Sequence, residues 1–349
     1  MMHAAHTMVA PAVARSRRRV AVIGTGGTFA MHARHPFDWV EYGESGVVHP
    51  IEALVPQLDQ LGLDVEVVSI SFRMIGSTGI VPQDWCELAA LIERTAHADG
   101  RIDGFVVTHG TATLEETAWF LQLALAIRQP VVVTGAQRPQ NTAGSDAQAN
   151  LRAALAVAAA PQAAGCGTLV VMDGMVFAAR DVTKAASFEL HAFEALPFGP
   201  LGRVDPDGSV VLRRCVTRAG GQRLLHPPAA HRALPRVDLT VSYAGADGAA
   251  IDGLLAAGTR GIVSIGLAPG RPANGERAAL KRAVEQGVVV VQAARAARGV
   301  VPPQAFLQRD GILAGGDLAP PKLRILLMLI LAQTPTADAA EIQRLLLAY

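Results

Sequence analysis

The feature that most constrains the fold of this chain is a regular alternation of short β-branched runs with segments of helical length. The runs predict buried strands at residues 19–24, 65–71, 104–108, 131–135 and 168–173. The amphipathic segments among them predict helices at residues 51–61, 82–97, 114–127 and 146–160. Strands that alternate with helices imply βαβ units and a mostly parallel sheet with helices on both faces.

The alternation is interrupted once and then resumes, which predicts two domains. Residues 203–235 contain a predicted hairpin around residues 205–208 and several prolines. After this segment, strands are predicted at residues 237–243, 261–266 and 288–292, and helices at residues 251–257, 275–286, 320–332 and 338–347. We therefore predict an α/β protein with a larger N-terminal three-layer α/β domain with a mostly parallel sheet at residues 19–202, a linker at 203–235 and a smaller C-terminal α/β domain at 236–349.

Composition and charge exclude several classes of protein. Half of the 349 residues are hydrophobic and 17% are charged, which is too apolar a balance for a disordered chain. The formal net charge of +1 gives no overall attraction to nucleic acid or to a membrane surface. The longest apolar run, residues 325–332, is far shorter than the roughly 20 residues of a membrane-spanning helix. We expect no nucleic-acid partner and no membrane partner.

The N-terminus, the cysteines and the histidines bear on the compartment and on metals. Residues 1–18 are predicted to be a disordered leader, because their basic run follows the apolar stretch, whereas a signal peptide begins with basic residues. Cys86, Cys166 and Cys215 form no CxxC pair, which argues against a disulfide scaffold and fits a reducing, cytoplasmic compartment. The histidines lack metal-ligand spacing, so we expect no metal and no cofactor.

Polar loops follow four of the predicted strands, at the sheet edge where parallel α/β proteins bind their ligands. After the first strand, Phe29 stands where a dinucleotide-binding fingerprint needs its third glycine, and the chain contains no phosphate-binding loop of the GxxxxGK[ST] type. The glycines before Thr28 instead permit a tight turn, which presents Thr28 either as a helix cap or as a nucleophile. The other three loops lie at residues 108–116, 135–139 and 178–184.

Thr111 and Lys184 lie in two of these loops and form a second polar group. The spacing of Thr113 and Glu116 fits a capping box, so Thr113 is expected to cap the next helix and to leave Thr111 facing the sheet edge. Lys184 is one of three lysines in the chain. It is either a surface residue or a desolvated amine that can accept a proton beside a hydroxyl.

Seven motifs, distributed from Val20 to Tyr349, together resemble those of the bacterial L-asparaginase family, the threonine-nucleophile amidohydrolases. The motifs are TGGTFA (25–30), IGSTGIVPQDW (75–85), THGTATLEETAWF (108–120), GAQRP (135–139), RDVTK (180–184), FGPLG (198–202) and GDLAPPKLRILL (316–327). The resemblance implies hydrolysis of L-asparagine, or of a related small ω-amide, through an acyl-enzyme. It also implies a homo-oligomer, a dimer or a tetramer, because the active sites of the family lie between subunits.

The resemblance assigns roles to particular residues. Thr28 would be the nucleophile, with backbone amides of the glycine-rich turns stabilising the oxyanion. Tyr42, in the loop at residues 31–46, would either activate Thr28 or be an ordinary lid residue. Thr111 and Lys184 would form a second catalytic pair near the scissile bond. Ser77 would bind the α-carboxylate of the substrate, and the resemblance places further substrate contacts at Gly27, Thr78, Gly110 and Ala112.

Ala112 is the main departure from the family motif, which reads HGTDT where this chain has HGTAT. The missing aspartate would hold the α-ammonium of the substrate, so discrimination for an α-amino acid should suffer. A second departure is the segment 293–313, where the periplasmic members of the family have an acidic stretch that contributes a glutamate from the neighbouring subunit. Here Asp310 is its single acidic residue, and no equivalent glutamate is assigned. There are three alternatives to a natural asparaginase. They are a hydrolase of a different small amide or ester without an α-amino group, a non-catalytic binding homologue, and an asparaginase in which Ala112 was engineered.

Overall fold

The computed structural model describes residues 17–54, 62–216, 225–227 and 233–349 as a mixed α/β protein with two main sheets. The N-terminal part contains β1 (Arg18–Gly26), β2 (Val65–Ile75), β3 (Ile102–Thr108), β4 (Val131–Thr134), β5 (Thr168–Met172), β6 (Met175–Ala178), β7 (Thr183–Lys184), β8 (Phe193–Glu194), β9 (Gly202–Val204) and β10 (Val210–Leu212). Its helices are α1 (Ile51–Leu54), α2 (Pro82–Ala98), α3 (Leu114–Ala124) and α4 (Ala147–Ala159). The predicted leader up to residue 16 and the predicted helical residues 55–61 lie outside the described residues.

The large sheet is mostly parallel, as predicted. Its strand order is β10-β9-β6-β5-β4-β3-β1-β2. The five strands β5, β4, β3, β1 and β2 run parallel, and the pairings β5–β6, β6–β9 and β9–β10 are antiparallel. Successive side chains of β1 point to opposite faces. Ala21 and Ile23 therefore belong to one buried core, and Val20 and Val22 belong to another. Helices α2 and α3 cover the first face and α4 covers the second, which gives the predicted three layers.

The hairpin predicted around residues 205–208 is present, but it belongs to the large sheet. Strands β9 and β10 pair with each other, and β9 also pairs with β6. The prediction that the linker starts at residue 203 therefore differs from the structure, because residues 202–212 extend the first sheet. The proline-rich sequence of residues 203–235 did not indicate that β6 would pair with this hairpin, and such a third strand makes a hairpin stable.

The C-terminal part forms a second, all-parallel sheet of four strands. It contains β11 (Val237–Val241), β12 (Gly261–Gly266), β13 (Val289–Ala294) and β14 (Leu313–Ala314), with α5 (Ala249–Ala256), α6 (Arg277–Glu285), α7 (Ala305–Arg309), α8 (Pro320–Gln333) and α9 (Ala339–Leu346). Buried apolar residues of α8 belong to the same core as those of α3, so one core continues across both domains. None of the helices in the described ranges is long and apolar enough to cross a membrane.

Cys166 and Cys215 form a disulfide, and Cys86 is buried and free. This pairing contradicts the expectation from sequence spacing, since 49 residues separate the two cysteines. The hairpin explains why they meet. Gln162, four residues before Cys166, donates a hydrogen bond to the Val210 carbonyl in β10, so the end of the hairpin brings Cys215 close to Cys166.

Candidate active site

Two consecutive glycines at the end of β1 form the turn that presents Thr28. Gly26 and Gly27 have φ angles of +108° and +71°, in the left-handed region that favours glycine. A Cβ atom on Gly27 would lie 2.3 Å from the Cα atom of Gly110, so a side chain is excluded at this position. The turn therefore places Thr28 directly beside the loop that carries Thr111.

Thr28 contacts the single tyrosine of the loop at residues 31–46. The Oγ1 atom of Thr28 and the hydroxyl oxygen of Tyr42 are 2.7 Å apart, and Thr28 is 7% exposed. Tyr42 opens a short 3-10 turn, Tyr42–Ser45, which follows 14 residues after Thr28. The structure thus brings together two of the residues singled out from the sequence.

The loop at residues 31–46 is fastened to the loop that follows β4. Asn141 accepts a hydrogen bond from the Ala33 amide at 2.9 Å and donates one to the Ala33 carbonyl at 2.8 Å. The guanidinium carbon of Arg138 lies 4.1 Å from the centroid of the Trp39 ring, in a cation–π contact. These contacts hold Tyr42 in place over the turn after β1.

Lys184 and Thr111 form a second contact. The Nζ atom of Lys184, in β7, donates a hydrogen bond to Oγ1 of Thr111 at 2.8 Å. Burial lowers the pKa of Lys184 below its ordinary value, and the negative charge of Asp146 opposes this lowering. A lowered pKa increases the fraction of neutral amine, and only the neutral amine can accept a proton.

Ser77 and Thr78 lie in a 3-10 turn, Ser77–Gly79, that follows β2. Gly110 packs against this turn so closely that a Cβ atom on it would lie 2.5 Å from Cβ of Ser77. The prediction for Thr113 was wrong. Its hydroxyl donates to the Ser77 carbonyl at 2.8 Å and makes no capping bond to α3, because the side chain is turned toward the neighbouring 3-10 turn.

Ala112 lies exposed between Thr111 and Thr113. Its methyl group supplies no charge and no hydrogen-bonding atom. The backbone amides of Thr28 and Thr111 donate to no protein acceptor among the described residues. They are therefore available as hydrogen-bond donors to a ligand.

His109 is a buried residue beneath the site that sequence reasoning missed. The Trp85 indole donates to the hydroxyl of Thr117 at 2.8 Å, and Thr117 and Nε2 of His109 are 2.9 Å apart. Nδ1 of His109 lies 2.7 Å from the Gly110 carbonyl. Burial lowers the pKa of His109 to about 4, so the imidazole is neutral at physiological pH. Its two bonds fix the orientation of the peptide between Gly110 and Thr111.

Asp146 is a second residue that sequence reasoning missed. Its buried carboxylate accepts hydrogen bonds from the amides of Gln137 and Arg138 at 3.0 Å and from Asn150 at 2.8 Å. The Gln137 side chain then donates to the Glu189 carbonyl at 2.9 Å, in the segment after Lys184. The sequence did show that Asp146 begins a predicted helix, but an acidic residue at that position is ordinarily interpreted as a helix cap.

The sequence comparisons assign the chain to a family. The family model for the N-terminal domain of asparaginase matches residues 19–217. The model for the C-terminal domain of glutaminase and asparaginase matches residues 236–346. This chain belongs to the asparaginase family. The two asparaginase domains cover both sheets, and the residues between the matches fall in the predicted linker.

Individual relatives are similar over nearly their whole length. L-asparaginase 2 of Bacillus subtilis (strain 168) is 34% identical over 93% of this chain and 84% of its own. A probable periplasmic L-asparaginase of Haemophilus influenzae is 32% identical over 90% of this chain and 89% of its own. The crystal structure of a probable cytoplasmic L-asparaginase from Campylobacter jejuni superposes with a TM-score of 0.86 and 32% identity, covering 95% of this chain and 99% of that one.

In the described part of the chain, no group of three or more His, Cys, Asp or Glu side chains is arranged to hold a metal ion. The groups that surround the turn after β1 are hydroxyls, one amine and backbone amides. Such groups are suited to nucleophilic attack on a carbonyl carbon and to proton transfer.

Proposed function

We propose that the protein is an amidohydrolase that converts L-asparagine, or a related small ω-amide, to the acid and ammonia through a covalent intermediate on Thr28. The observation that carries this proposal is the 2.7 Å contact between the hydroxyl groups of Thr28 and Tyr42, at the end of a parallel strand. Membership of the asparaginase family supports the reaction class.

In the first step, the Thr28 hydroxyl attacks the side-chain carbonyl carbon of the substrate. As the bond between Oγ1 and carbon forms, the proton of Thr28 passes to the Tyr42 oxygen, which is within hydrogen-bonding distance, and Tyr42 passes its own hydroxyl proton on to the substrate nitrogen. The negative charge that develops on the carbonyl oxygen is stabilised by hydrogen bonds from the backbone amides of Thr28 and Thr111, which have no protein acceptor in the described structure. The carbon–nitrogen bond then breaks, and the nitrogen, which carries the proton relayed by Tyr42, departs as ammonia.

In the second step, water hydrolyses the ester on Thr28. Thr111 and Lys184 supply a hydroxyl and an amine of lowered pKa close to the same loop. The neutral amine of Lys184 takes a proton from the attacking water through the Thr111 hydroxyl, and this proton returns to Oγ1 of Thr28 when the acid leaves. Neither step needs a metal or an organic cofactor.

Substrate recognition divides between two sides of the site. Ser77 binds the α-carboxylate of the substrate and Thr78 contacts the substrate beside it, on the side where Gly110 packs against their turn. The α-ammonium faces Ala112, which offers it no anion. This observation favours a second candidate function, the hydrolysis of a small amide or ester that has no α-amino group. A non-catalytic binding protein is the third candidate.

Ammonia release from a panel of amides distinguishes these candidates. The panel contains L-asparagine, L-glutamine and succinamic acid, which is asparagine without its α-amino group. Preference for L-asparagine supports the leading proposal, and preference for succinamic acid supports the second candidate. Binding of L-asparagine without ammonia release supports the third candidate and contradicts the proposal.

We further propose that the protein is a homo-oligomer, either a dimer or a tetramer. The side chains of Leu196, Phe198 and Val300 are more than half exposed and line a cleft of about 590 Å³ between the two domains. Exposed apolar residues that cluster in this way mark interaction surfaces. Light scattering should give a mass of two or four chains. A stable 36.5 kDa monomer with full activity would contradict the proposal.

We propose a cytoplasmic location, in line with the name of the Campylobacter jejuni structure. The alternative is the periplasm, named for the Haemophilus influenzae relative, and the Cys166–Cys215 disulfide favours it because disulfides persist in oxidising compartments. Titration of thiols in denatured protein, prepared from its native host without reductant, distinguishes the two. Three reactive thiols support the cytoplasm, and a single thiol from Cys86 contradicts it.

A further inference from the structure

Lys322 is a buried lysine that the proposed reaction does not use. All three lysines of the chain lie in the described residues, and Lys322 is 1% exposed whereas Lys281 is exposed and Lys184 is half-buried. Lys322 is the third residue of α8, where the helix dipole disfavours a positive charge. A cation buried in such a position needs specific partners.

The partners of the Lys322 ammonium are backbone carbonyls of the first domain. Its Nζ atom donates to the carbonyl of Arg180 at 2.8 Å and to the carbonyl of Val182. Burial lowers the pKa of Lys322 to about 8, while the carboxylates of Glu115 and Asp181 oppose the lowering and the Arg180 guanidinium adds to it. The ammonium is thus placed to hold the segment 180–182.

The segment 180–182 leads directly into β7, which carries Lys184. The amides of Asp181 and Val182 donate to the Ala178 carbonyl at 3.2 and 3.1 Å, so the turn is closed on its N-terminal side. Lys322 then binds the carbonyls on the other side. Val182 is fully buried and lies two residues before Lys184, so a shift of its carbonyl would be transmitted to the strand.

The backbone of Lys322 is fixed to the helix that follows Thr111. The indole Nε1 of Trp119, in α3, donates to the Lys322 carbonyl at 3.0 Å. Lys322 therefore makes two separate contacts with the first domain, its carbonyl with Trp119 and its ammonium with the segment 180–182.

We propose that Lys322 is a positioning residue, whose ammonium holds residues 180–182 so that Nζ of Lys184 reaches Oγ1 of Thr111. This inference rests on the proposed function, in which Thr111 and Lys184 act as a pair. Removal of the ammonium takes this donor away from the part-buried Arg180 contact and the buried Val182 contact, and carbonyls left unpaired rearrange toward water. Lys184 then moves away from Thr111 and becomes more hydrated.

The test compares Lys322→Met with Trp119→Phe. The first variant removes both ammonium contacts and keeps a linear apolar side chain. The matched control removes one buried hydrogen bond between the same two domains and leaves the ammonium in place. With L-asparagine or the preferred amide, Lys322→Met should lose at least tenfold in kcat with KM within twofold of wild type, and Trp119→Phe should keep its kcat.

A readout that does not depend on turnover is the titration of Lys184, followed by NMR of protein labelled with ¹³C-lysine. Only three lysine signals are expected from this chain. In Lys322→Met the pKa of Lys184 should rise by at least half a unit toward its ordinary value, because hydration favours the charged amine. In Trp119→Phe it should stay at the wild-type value.

A folded Lys322→Met protein with wild-type kcat and an unshifted Lys184 titration overturns the inference. If Lys322→Met does not fold, Lys322→Gln replaces it, because its amide keeps N–H donors on a shorter side chain. It should shift the Lys184 titration in the same direction, and an unshifted titration overturns the inference equally. Failure of the proposed function is a separate outcome, since it requires that wild type releases no ammonia from any amide.

Discussion

The hydroxyl oxygens of Thr28 and Tyr42 lie 2.7 Å apart, although the two residues belong to different local structures. Thr28 follows a glycine turn at the end of a buried strand, and Tyr42 opens a 3-10 turn in the loop at residues 31–46. This contact gives the weakly acidic threonine a partner for its proton. The reaction therefore also depends on the contacts that hold the loop at residues 31–46 in place.

Replacement of Tyr42 by phenylalanine should reduce kcat by roughly a hundredfold or more, the range expected when a positioned proton acceptor is removed. KM should change little, because the ring remains and continues to cover Thr28. Steady-state kinetics of ammonia release measure both constants. Tyr349→Phe is the matched control, since Tyr349 belongs to the buried hydrophobic core, and this variant should keep its kcat. A Tyr42→Phe enzyme with wild-type kcat would show that Tyr42 is an ordinary lid residue.

Replacement of Asp146 by asparagine should move the acid limb of the pH–rate profile to lower pH. In the proposed reaction the neutral form of Lys184 acts in hydrolysis of the acyl-enzyme, so kcat rises with pH through the pKa of this lysine where that step limits turnover. The charge of Asp146 raises that pKa, and its removal therefore lowers the pKa. Asp173→Asn, at an exposed carboxylate, is the control and should leave the limb in place. A limb that stays or moves to higher pH in Asp146→Asn contradicts the assignment of Lys184.

Replacement of Ala112 by aspartate should improve L-asparagine hydrolysis. A charge-assisted hydrogen bond to the substrate ammonium contributes about 1.5–3 kcal/mol, which corresponds to roughly a ten- to hundredfold increase in kcat/KM. Ala112 is exposed and lies just before α3, where an acidic side chain is compatible with the helix dipole. Ala112→Asn, which is equal in shape and uncharged, should gain much less. Equal gains in both variants, or no gain in either, would show that another residue holds the ammonium.

The large sheet was predictable because its strands carry an unambiguous local pattern. The β-branched run of β1 alternates between two cores, and the glycines after it leave few choices for the backbone at Thr28. The family resemblance then named Thr28, Tyr42, Thr111 and Lys184, and the structure places these residues in two contacting pairs. Their catalytic roles remain proposals.

The features that were missed depend on partners that are distant in the sequence. Cys166 meets Cys215 because the hairpin at residues 202–212 joins the large sheet, and Thr113 bonds to Ser77 because two loops meet at Gly110. Asp146 and Lys322 act on the backbone of other loops, and no spacing within one segment reveals such contacts. Local patterns therefore predicted elements better than they predicted the contacts between elements.

The central claim, that Thr28 is the nucleophile, is tested most directly by following the same amide with wild type and Thr28→Ala. Ammonia release is measured at steady state, and intact-protein mass spectrometry is performed on samples quenched in acid during turnover. We predict that wild type gains the mass of one acyl group per chain. Thr28→Ala should fold normally, gain no mass and lose most or all of its activity. Unchanged turnover in Thr28→Ala, or an acyl group found on a different residue, would contradict the covalent mechanism.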